Sequence, residues 1–369
     1  MKITHVTTTP VVREVKNPAM DGMWTYDAGG LLVVRVHTDE GITGYATSNF
    51  GRIKRGVYTL QALIEGELAP AVAGQDPFFC RQARKKLWDA AHYHDVTGLS
   101  QFGIAALDIA IWDIVGKKLG LPCAKVAGAC RDRIPAYAMV GWYYDDDTTF
   151  IKNCEDAVAE GFKALKIKVG RYSLKDDLER IRLVRRAVGE DVCLMVDANQ
   201  ALDFPEAVRR GRAYEEAGMF WFEEPMPPYM VENHARLCQT LDIPVAIGEN
   251  HYTSRQFYEA IRQGMMDIVQ PDNRRSGGFT EWLEIGAISD AAGLKLASHG
   301  GGPANVNMLC TLPNAIFLES GSLKGENHFL RHQMRMEDGD LLLPDAPGMG
   351  TEVDEEYVDF CVRQMQGTI

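Results

Sequence analysis

The sequence predicts an α/β protein whose main part is a barrel of parallel strands and helices, joined to a smaller mixed domain. After about residue 133, eight short apolar runs alternate with helical stretches, as parallel βαβ units do. Eight such units favour a closed barrel over an open doubly wound sheet. The GxGxxG turn typical of a dinucleotide-binding sheet is absent from the first strand-to-helix turns. The 369 residues also exceed the size of one small module.

Composition and charge exclude several classes of protein. Hydrophobic residues make up 46% and charged residues 24%, so a large core is expected rather than disorder. The net charge of −12, without a dense Lys/Arg cluster, argues against nucleic acid as a partner. Eight cysteines without a CxxC pair predict reduced thiols in a cytoplasm. Neither a signal-peptide core nor a run of 18 apolar residues is found, so no membrane span is expected.

Residues 1–130 are predicted to form an α+β domain. Residues 1–12 and 29–46 have strand patterns, and Asp39-Glu40-Gly41 marks a turn in the second. Between them, residues 17–30 are rich in Gly, Met and aromatic side chains and lack periodicity, which predicts a loop. From about Thr59 the pattern becomes helical. It is clearest over residues 102–120, where apolar residues recur at helical spacing until Gly120 ends the helix.

The barrel is predicted over residues 131–320. Its strands correspond to the apolar runs at 136–142, 163–169, 192–197, 219–223, 244–249, 267–272, 294–298 and 315–319. Four of the intervening helical patterns end at Gly189, Gly218, Gly264 and Gly293. Residues 321–369 lose the repeat and are predicted to return to the N-terminal domain.

Ionisable residues stand at seven consecutive strand ends, where a barrel builds its active site. They are Lys166 and Lys168, Asp197 with Asn199 beside it, Glu223 and Glu224, Glu249, Asp272, His299, and Glu319. A structural barrel has no need of so many charges at the ends of apolar runs, so the cluster predicts function.

Three of these residues, Asp197, Glu223 and Glu249, are carboxylates on adjacent strands. Three converging anions repel unless a cation neutralises them, and an all-oxygen site suits Mg²⁺, with Mn²⁺ also compatible. The alternative is that they form ordinary ion pairs with the neighbouring lysines.

Asp272 and His299 are expected across the barrel from the lysines. A carboxylate beside an imidazole fixes its tautomer and raises its basicity, as a general base requires. Gly300-Gly301-Gly302 follow, and glycines let a ligand approach the backbone. The HGGG string also occurs in esterases, but the GxSxG nucleophile elbow that they need is absent. A base on each face around a divalent cation suits removal of a proton beside a carboxylate.

The chain resembles the mandelate racemase subgroup of the enolase superfamily over essentially its whole length. The resemblance rests on KIKVG, VDANQ, WFEEP, IGEN, QPDNRRSGG, SHGGG and FLESG in this order, with AALDIAIWDIVGKKLGLP upstream. It implies a modified (β/α)7β barrel with an α+β capping domain made from both termini. It also implies a homo-oligomer that acts on a small carboxylate substrate.

The resemblance implies a role for each strand-end residue. Asp197, Glu223 and Glu249 would bind Mg²⁺, and Lys168 would be the base on one face. Lys166 would lower the pKa of Lys168 and polarise the substrate carboxylate. His299 with Asp272 would serve the other face, and a protonated Glu319 would hydrogen-bond the substrate carboxylate. Asn199 and Glu224 would orient their neighbours.

The subgroup resemblance favours dehydration of an acid sugar, an aldonate or aldarate, to a 2-keto-3-deoxy acid. Racemisation or epimerisation of a 2-hydroxy acid is the alternative. A barrel that has lost catalysis is disfavoured by the intact Lys168, Asp272 and His299. Lactonisation would more often pair lysines on the second and sixth strands, and the sixth strand here ends in Asp272.

Several loop residues are candidates for choosing the substrate. They are Met20, Met23, Trp24 and Tyr26 as an apolar lid, Asn49, Arg52, Lys54 and Arg55 as a basic loop, Arg274 and Arg275, and more weakly Tyr143, Tyr144 and His251. The alternative for the lid residues is that they only pack on the capping domain. The alternative for Arg274 and Arg275 is that they are solvated surface residues. His92-Tyr93-His94-Asp95 is a weak candidate for a second metal site.

Overall fold

The computed structural model describes residues 1–51, 55–93, 97–144, 146–323 and 327–367. The first of its two sheets is a three-stranded antiparallel sheet in the order β1-β2-β3. Its strands are β1 (Ile3–Met20), β2 (Thr25–Thr38) and β3 (Thr43–Gly51). Helices follow at α1 (Gly56–Leu63), a π-helical turn (Ile64–Leu68), α2 (Ala69–Val72), α3 (Cys80–Ala91), α4 (Leu99–Leu119) and α5 (Cys123–Val126). We call this part the cap.

The second sheet contains a closed barrel of eight parallel strands, β4 to β11, because β11 pairs with β4 as well as with β10. The strands are β4 (Arg133–Gly141), β5 (Ala164–Lys168), β6 (Cys193–Asp197), β7 (Phe222–Glu223), β8 (Val245–Ile247), β9 (Ile268–Val269), β10 (Lys295–Ala297) and β11 (Ala315–Ser320). The helices between them are α6 (Asp147–Ala159), α7 (Leu174–Val188), α8 (Phe204–Glu216), α9 (Val231–Thr240), α10 (Thr253–Arg262), α11 (Phe279–Ala291) and α12 (Pro303–Cys310). The predicted (β/α)7β barrel is confirmed, with one strand in each apolar run.

The prediction of a loop over residues 17–30 is wrong for most of its length. β1 continues to Met20 and β2 begins at Thr25, so that only Asp21–Trp24 form a tip, which we call the hairpin tip. Ala19 pairs with Tyr26 beyond a register shift in β1. The antiparallel partner supplies the backbone hydrogen bonds, and these override the weak strand propensity of the segment.

Helix α4 is apolar on all sides because it lies between other elements. It is long and apolar enough to span a membrane, but 83% of its most apolar window is buried inside the protein. Gly44 of β3 packs so closely on it that a Cβ there would lie 1.9 Å from the Ala110 carbonyl oxygen. A helix buried on every side is expected to lack a polar face, so the sequence pattern of α4 reflects the core.

The C-terminal segment adds to both parts of the molecule. β12 (Met336–Glu337) and β13 (Asp340–Leu342) extend the barrel sheet, with β13 antiparallel to β4. α13 (Glu355–Met365) lies on the cap, where Val353 and Val358 pack with Val11 and Val33. The cap is therefore made from both termini, as the fold class predicted. The domain limits at residues 130 and 320 stay predictions.

Asp113 of α4 connects three separate segments of the chain. Its carboxylate accepts hydrogen bonds from the backbone N–H of Tyr45 (3.0 Å) and of Met349 (2.7 Å). Lys117 pairs with it at 2.8 Å. Burial raises the pKa of Asp113 despite these partners. The side chain thus joins β3, α4 and the C-terminal segment through bonds that are shielded from water.

We expect Asp113→Ala to lower the free energy of unfolding by about 3 kcal/mol, because two buried N–H groups lose their acceptor. Urea denaturation followed by circular dichroism measures the loss. Asp156→Ala is the control, since Asp156 forms only an exposed pair with Lys152 on α6 and should change stability far less. Equal losses in the two variants would contradict the connecting role of Asp113.

Candidate active site

The strand alternation explains why the charged residues converge. One layer of the barrel interior is closed by Tyr137, Ala164, Met195, Trp221, Ala246, Ile268 and Ala297, with Ile316 and Phe317 packed against them. Two residues further along a strand, the next side chain again points inward. From Ala164, Met195 and Trp221 this step leads to Lys166, Asp197 and Glu223. From Ala297 and Phe317 it leads to His299 and Glu319. An apolar floor therefore lies beneath a charged layer at the carboxyl ends of the strands.

We call this charged layer the strand-end cluster. It comprises Lys166, Lys168, Asp197, Glu223, Glu224, Glu249, Asp272, Arg274, Arg275, His299 and Glu319. Each member lies within contact distance of another through an ion pair or a shared hydrogen-bond partner.

Lys166 lies at the centre of the cluster and is fully buried. Its Nζ contacts Glu223 Oε1 at 2.5 Å, Glu319 Oε2 at 2.6 Å and Asp197 Oδ2 at 3.7 Å. Burial lowers the pKa of Lys166, but Glu223 and Glu319 outweigh it and raise the pKa well above its ordinary value. The ammonium thus joins carboxylates from three strands.

Lys168 lies beside this centre, with its Nζ 2.6 Å from Asp197 Oδ2. Burial lowers the pKa of Lys168, as does Lys166, but Asp197 and Glu223 outweigh both and raise it. Lys166 therefore lowers the pKa of Lys168, which is the direction that the resemblance implies. The pKa of Lys168 is nevertheless raised overall, because the nearby carboxylates contribute more.

His299 stands opposite the lysines and is held at both ring nitrogens. Nδ1 lies 2.7 Å from Asp272 Oδ2, and Nε2 lies 2.8 Å from Glu249 Oε2. Burial lowers the pKa of His299, but Glu249, Glu319 and Asp272 together raise it to about 10. Arg274 binds Asp272 through Nε at 3.0 Å and through a second nitrogen. The predicted dyad is therefore assembled, with an arginine behind its carboxylate.

The contacts of Glu319 favour its ionised form, and the protonated form implied by the resemblance stays a prediction. Its Oε2 accepts hydrogen bonds from Lys166 and from the Tyr137 hydroxyl at 2.8 Å. Burial raises the pKa of Glu319, but Lys166 and His299 outweigh burial and lower it to about 2. Two neighbouring cations favour the carboxylate over the acid form.

Three residues that the sequence analysis missed support these groups from below. Trp221 Nε1 and Gln270 Nε2 donate to Glu223 Oε2 at 3.1 and 2.8 Å. Gln270 also donates to the Tyr137 hydroxyl at 3.1 Å. Tyr137 and Trp221 belong to the apolar floor. Inward-facing positions recur every second residue, so counting two residues back from Glu223 would have identified Trp221 in the sequence. Gln270 stands two residues before Asp272 and follows the same rule.

The cluster suits a divalent cation by its charge and its donor atoms. Six carboxylates face four Lys and Arg side chains and one histidine. Burial raises the pKa of Glu223 to about 7, and burial together with Glu249 raises the pKa of Glu224 well above its ordinary value, as expected of carboxylates whose charge is incompletely compensated by cations. The three predicted ligands offer only oxygen, the donor that Mg²⁺ prefers. Across the described ranges, no three acidic, His or Cys side chains form a ready metal cage, and each of the three predicted ligands faces a protein cation.

Backbone strain marks the same place. Asn199, Gln200 and Glu224 have φ angles of 45°, 68° and 39°, which side-chain-bearing residues rarely adopt. Asn199 Oδ1 is buried and meets no hydrogen-bond partner among the described residues, whereas its backbone N–H donates to Asp197 Oδ1 at 2.8 Å. Glu224 accepts from Asn250 Nδ2 at 2.8 Å and from Gln200 Nε2 at 3.0 Å. The strained turns thus aim polar groups at the predicted ligands, and an unsatisfied oxygen there fits a bound cation.

A cavity of about 570 Å³ separates the cluster from the cap. Its described walls come from Leu31, Thr47 and Ile109 of the cap, Met139, Trp142, Asn273, Arg274, Gly300 to Ala304, Glu319 and Gly321 of the barrel, and Phe329, Leu330 and Thr351 of the C-terminal segment. Both termini and the barrel mouth therefore enclose the space in which a substrate would contact the cluster.

The loop residues that were candidates for choosing the substrate differ in their positions relative to the cavity. Arg274 lines the cavity, whereas the partly buried Arg275 binds Glu249 and Asn250. Tyr143 is buried with its hydroxyl on Asp177, and His251 is buried against Phe257. Neither lies on the cavity wall, because each packs behind the strand that precedes it.

The remaining candidates divide between described and undescribed residues. Tyr144 lies by a second groove beside α6, and Arg55 is exposed. Met23 and Trp24 are half-exposed at the hairpin tip. The side chain of Asn49, together with Arg52, Lys54, His94 and Asp95, lies outside the described residues. His92 contacts only the Asp89 carbonyl oxygen, at 3.1 Å, among the contacts described for it.

The chain matches known proteins over nearly its whole length. Residues 3–128 match the mandelate racemase / muconate lactonizing enzyme N-terminal domain, and residues 149–357 match the enolase C-terminal domain-like family. Arabinonate dehydratase of Saccharolobus solfataricus is 32% identical over 329 residues, which cover 87% of each chain.

Solved structures agree with this. A racemase from Streptomyces coelicolor with bound magnesium has a TM-score of 0.91 at 28% identity, covering 97% of this chain and 99% of that one. A variant of L-talarate/galactarate dehydratase, liganded with Mg and L-glucarate, has a TM-score of 0.90 at 28% identity. It covers 96% of this chain and 91% of that one.

A capped (β/α)7β barrel with acids and bases converging at its mouth defines the class of protein. The chain belongs to the enolase superfamily, in its mandelate racemase subgroup. Magnesium is the metal bound in structures of this superfamily. The role of each site residue in this chain stays a prediction.

We expect Glu223→Gln to weaken Mg²⁺ binding at least about tenfold, because the substitution keeps the volume and removes one negative charge from the cluster. Isothermal titration calorimetry measures the affinity. Glu216→Gln, at an exposed position on α8, is the charge-matched control and should bind as the wild type does. An unchanged affinity in the folded Glu223→Gln variant would remove Glu223 from the ligands.

Proposed function

We propose that the protein is a Mg²⁺-dependent dehydratase of acid sugars, which converts an aldonate or aldarate to a 2-keto-3-deoxy acid. The observation that carries this proposal is the placement of Lys168 and the Asp272–His299 pair on opposite sides of the buried carboxylates. The similarity to arabinonate dehydratase supports it.

The reaction needs two proton transfers. The base on one face, Lys168 in its neutral amine form, takes the α-proton and becomes an ammonium, and the electron pair of the C–H bond moves toward the substrate carboxylate. The C–O bond of the 3-hydroxyl then breaks, and His299 supplies the proton that makes this group leave as water. The resulting enol tautomerises to the 2-keto-3-deoxy acid. Mg²⁺ bound by Asp197, Glu223 and Glu249 would neutralise the charge that develops on the carboxylate.

The other members of the cluster have supporting roles in this proposal. Lys166, held between Glu223 and Glu319, places a positive charge where the substrate carboxylate gains electrons. Asp272 orients the His299 ring through Nδ1, so that Nε2 is the nitrogen directed at the substrate. Asn199 and Glu224 hold the turns that carry the predicted ligands.

Racemisation of a 2-hydroxy acid is the second candidate. Two bases on opposite faces can remove a proton from one side and return it to the other. The racemase from Streptomyces coelicolor has the same fold. A cytoplasmic location, a homo-oligomeric state and activity with Mn²⁺ also stay predictions.

A substrate screen tests the proposal. Mono- and diacid sugars and mandelate-type acids are incubated with Mg²⁺ in D₂O and followed by proton NMR. We expect a 2-keto-3-deoxy product from one acid sugar. Deuterium at the α-position of otherwise intact substrate would establish the racemase alternative instead, and no reaction with any acid would count against both.

We expect His299→Asn to abolish dehydration while Mg²⁺ binding persists. The variant keeps the approximate volume and loses the group that transfers the proton, a loss of about 10² to 10⁴ in rate. NMR of the product and calorimetry of Mg²⁺ measure the two properties. His332→Asn, at an exposed position, is the control. A fully active His299→Asn enzyme would show that His299 has no part in the chemistry.

A further inference from the structure

Lys168 has an uncharged neighbour that the proposed chemistry does not use. Its Nζ lies 4.8 Å from the ring centre of Trp142, while Asp197 holds it through a carboxylate oxygen at 2.6 Å. Trp142 follows the last residue of β4 and lines the cavity. The ammonium is thus fixed between a carboxylate and an aromatic face, which attracts a cation at this distance.

Trp142 also contacts the cap. Its ring meets the ring of Tyr26 edge to face, with 5.0 Å between centres. The Tyr26 hydroxyl donates to Asp21 Oδ2 at 2.7 Å, and Asp21 is buried. Asp21 Oδ1 accepts from the backbone N–H groups of Met23 and Trp24. The hairpin tip, Tyr26 and Trp142 are therefore connected by direct contacts up to Lys168.

The hairpin tip is seated on the barrel at the same side. Met20 and Tyr143 exchange backbone hydrogen bonds of 2.8 and 2.9 Å. Arg171 Nη1 donates to the Asp21 carbonyl oxygen at 3.0 Å. Gly22 lies so close that a Cβ there would be 2.5 Å from the Ala198 carbonyl oxygen. These contacts join the tip to the loops after β4, β5 and β6, next to Lys168.

The other face of the site is held differently. His299 is bound by Asp272 and Glu249, and Asp272 by Arg274, all of which are barrel residues. Within the part of the chain that the structure describes, the series of contacts from the cap reaches Lys168, while the partners of His299 are barrel residues. The orientation of Lys168 is thus linked to the seated hairpin.

We propose that Trp142 is a positioning residue for Lys168, and that it acts only while Tyr26 of the seated hairpin holds the indole in place. A lysine has a flexible four-carbon side chain, so an aromatic wall on one side and Asp197 on the other restrict where its Nζ points. The catalytic consequence rests on the proposed function, in which Lys168 takes the α-proton. The contact between Trp142 and Lys168 does not depend on the proposed function.

The first experiment measures kcat and KM separately on the acid that the substrate screen identifies. Trp142→Leu and Tyr26→Leu should lower kcat about 10- to 100-fold, the scale expected for a misplaced base. KM and Mg²⁺ affinity should stay near wild-type values. Trp142→Phe should recover much of the loss, because it retains an aromatic face. A Trp142 that only walls the cavity would raise KM and leave kcat unchanged, and this result would overturn the proposal.

Trp88→Leu is the matched control. Trp88 on α3 also has a cation over its ring, Arg84 at 5.8 Å, but it lies by a separate groove. Its loss should leave kcat unchanged. Equal losses of kcat in Trp88→Leu and Trp142→Leu would attribute the effect to general destabilisation and would overturn the proposal. Circular dichroism verifies that each variant is folded.

The second experiment needs no substrate. The fluorescence of Trp142 is obtained as the difference between the emission of a protein with Trp142 and that of the same protein carrying Trp142→Phe. This difference is measured in four backgrounds: wild type, Lys168→Met, Tyr26→Leu and the double variant. We expect Lys168→Met to change this emission in the wild-type background and to have little effect after Tyr26→Leu. The same change in both backgrounds, or none in either, would show that the hairpin does not control the contact.

The two experiments separate the possible failures. If no acid is turned over, the proposed function fails, and the fluorescence cycle still decides whether the hairpin sets the Trp142–Lys168 contact. If an acid is turned over and Trp142→Leu keeps its kcat, the proposed function stands and Trp142 is not a positioning residue.

Discussion

Closure of the barrel by β11 against β4 is the constraint on which the site depends. Leu318, Glu319 and Ser320 pair with Ala136, Tyr137 and Ala138, so the first and last strands are neighbours. This brings Glu319 within 2.6 Å of Lys166 from β5, although 153 residues separate them in the chain. Closure also places charged side chains from the ends of β5 to β11 above a common apolar floor, because inward positions recur every second residue. An open sheet would leave these groups spread along an edge.

Burying so many charges in one layer requires that they compensate one another. Isolated charges in a low-dielectric interior are very costly, so each carboxylate of the strand-end cluster is held by a lysine, an arginine, a histidine or an amide. The compensation is incomplete, because burial still raises the pKa of Glu223 and Glu224, which lie close to the strained turns at Asn199, Gln200 and Glu224. Perturbed carboxylates and strain at one place are typical of a site built for a ligand rather than for stability.

The cap contributes more than a cover. Asp113 joins α4 to β3 and to the C-terminal segment, so both termini form one body above the barrel mouth. From that body a long hairpin reaches the barrel beside Lys168, while the opposite side of the site consists of barrel residues around His299. The two candidate bases are therefore supported in physically different ways, and the molecule is asymmetric about the cavity although its barrel is regular.

The sequence by itself determined the elements that local patterns encode: the eight barrel strands, the glycines that end helices, and the identity of most strand-end charges. Strand period and chain order suffice for these, because each apolar run ends in the residue that enters the site. The sequence did not determine which partner each charge would choose. The sequence analysis gave Glu319 as a protonated acid, whereas its contacts with Lys166 and His299, which favour the carboxylate, arise only after closure. Residues 17–30 were expected to form a loop and instead form most of a hairpin, because β1 and β2 supply each other's hydrogen bonds. Trp142 and Tyr137 carry no local signal of function, since their contacts come from strands and a hairpin that are distant in sequence. Tertiary structure decided these features because electrostatics and packing depend on distance in space, which the order of residues does not state.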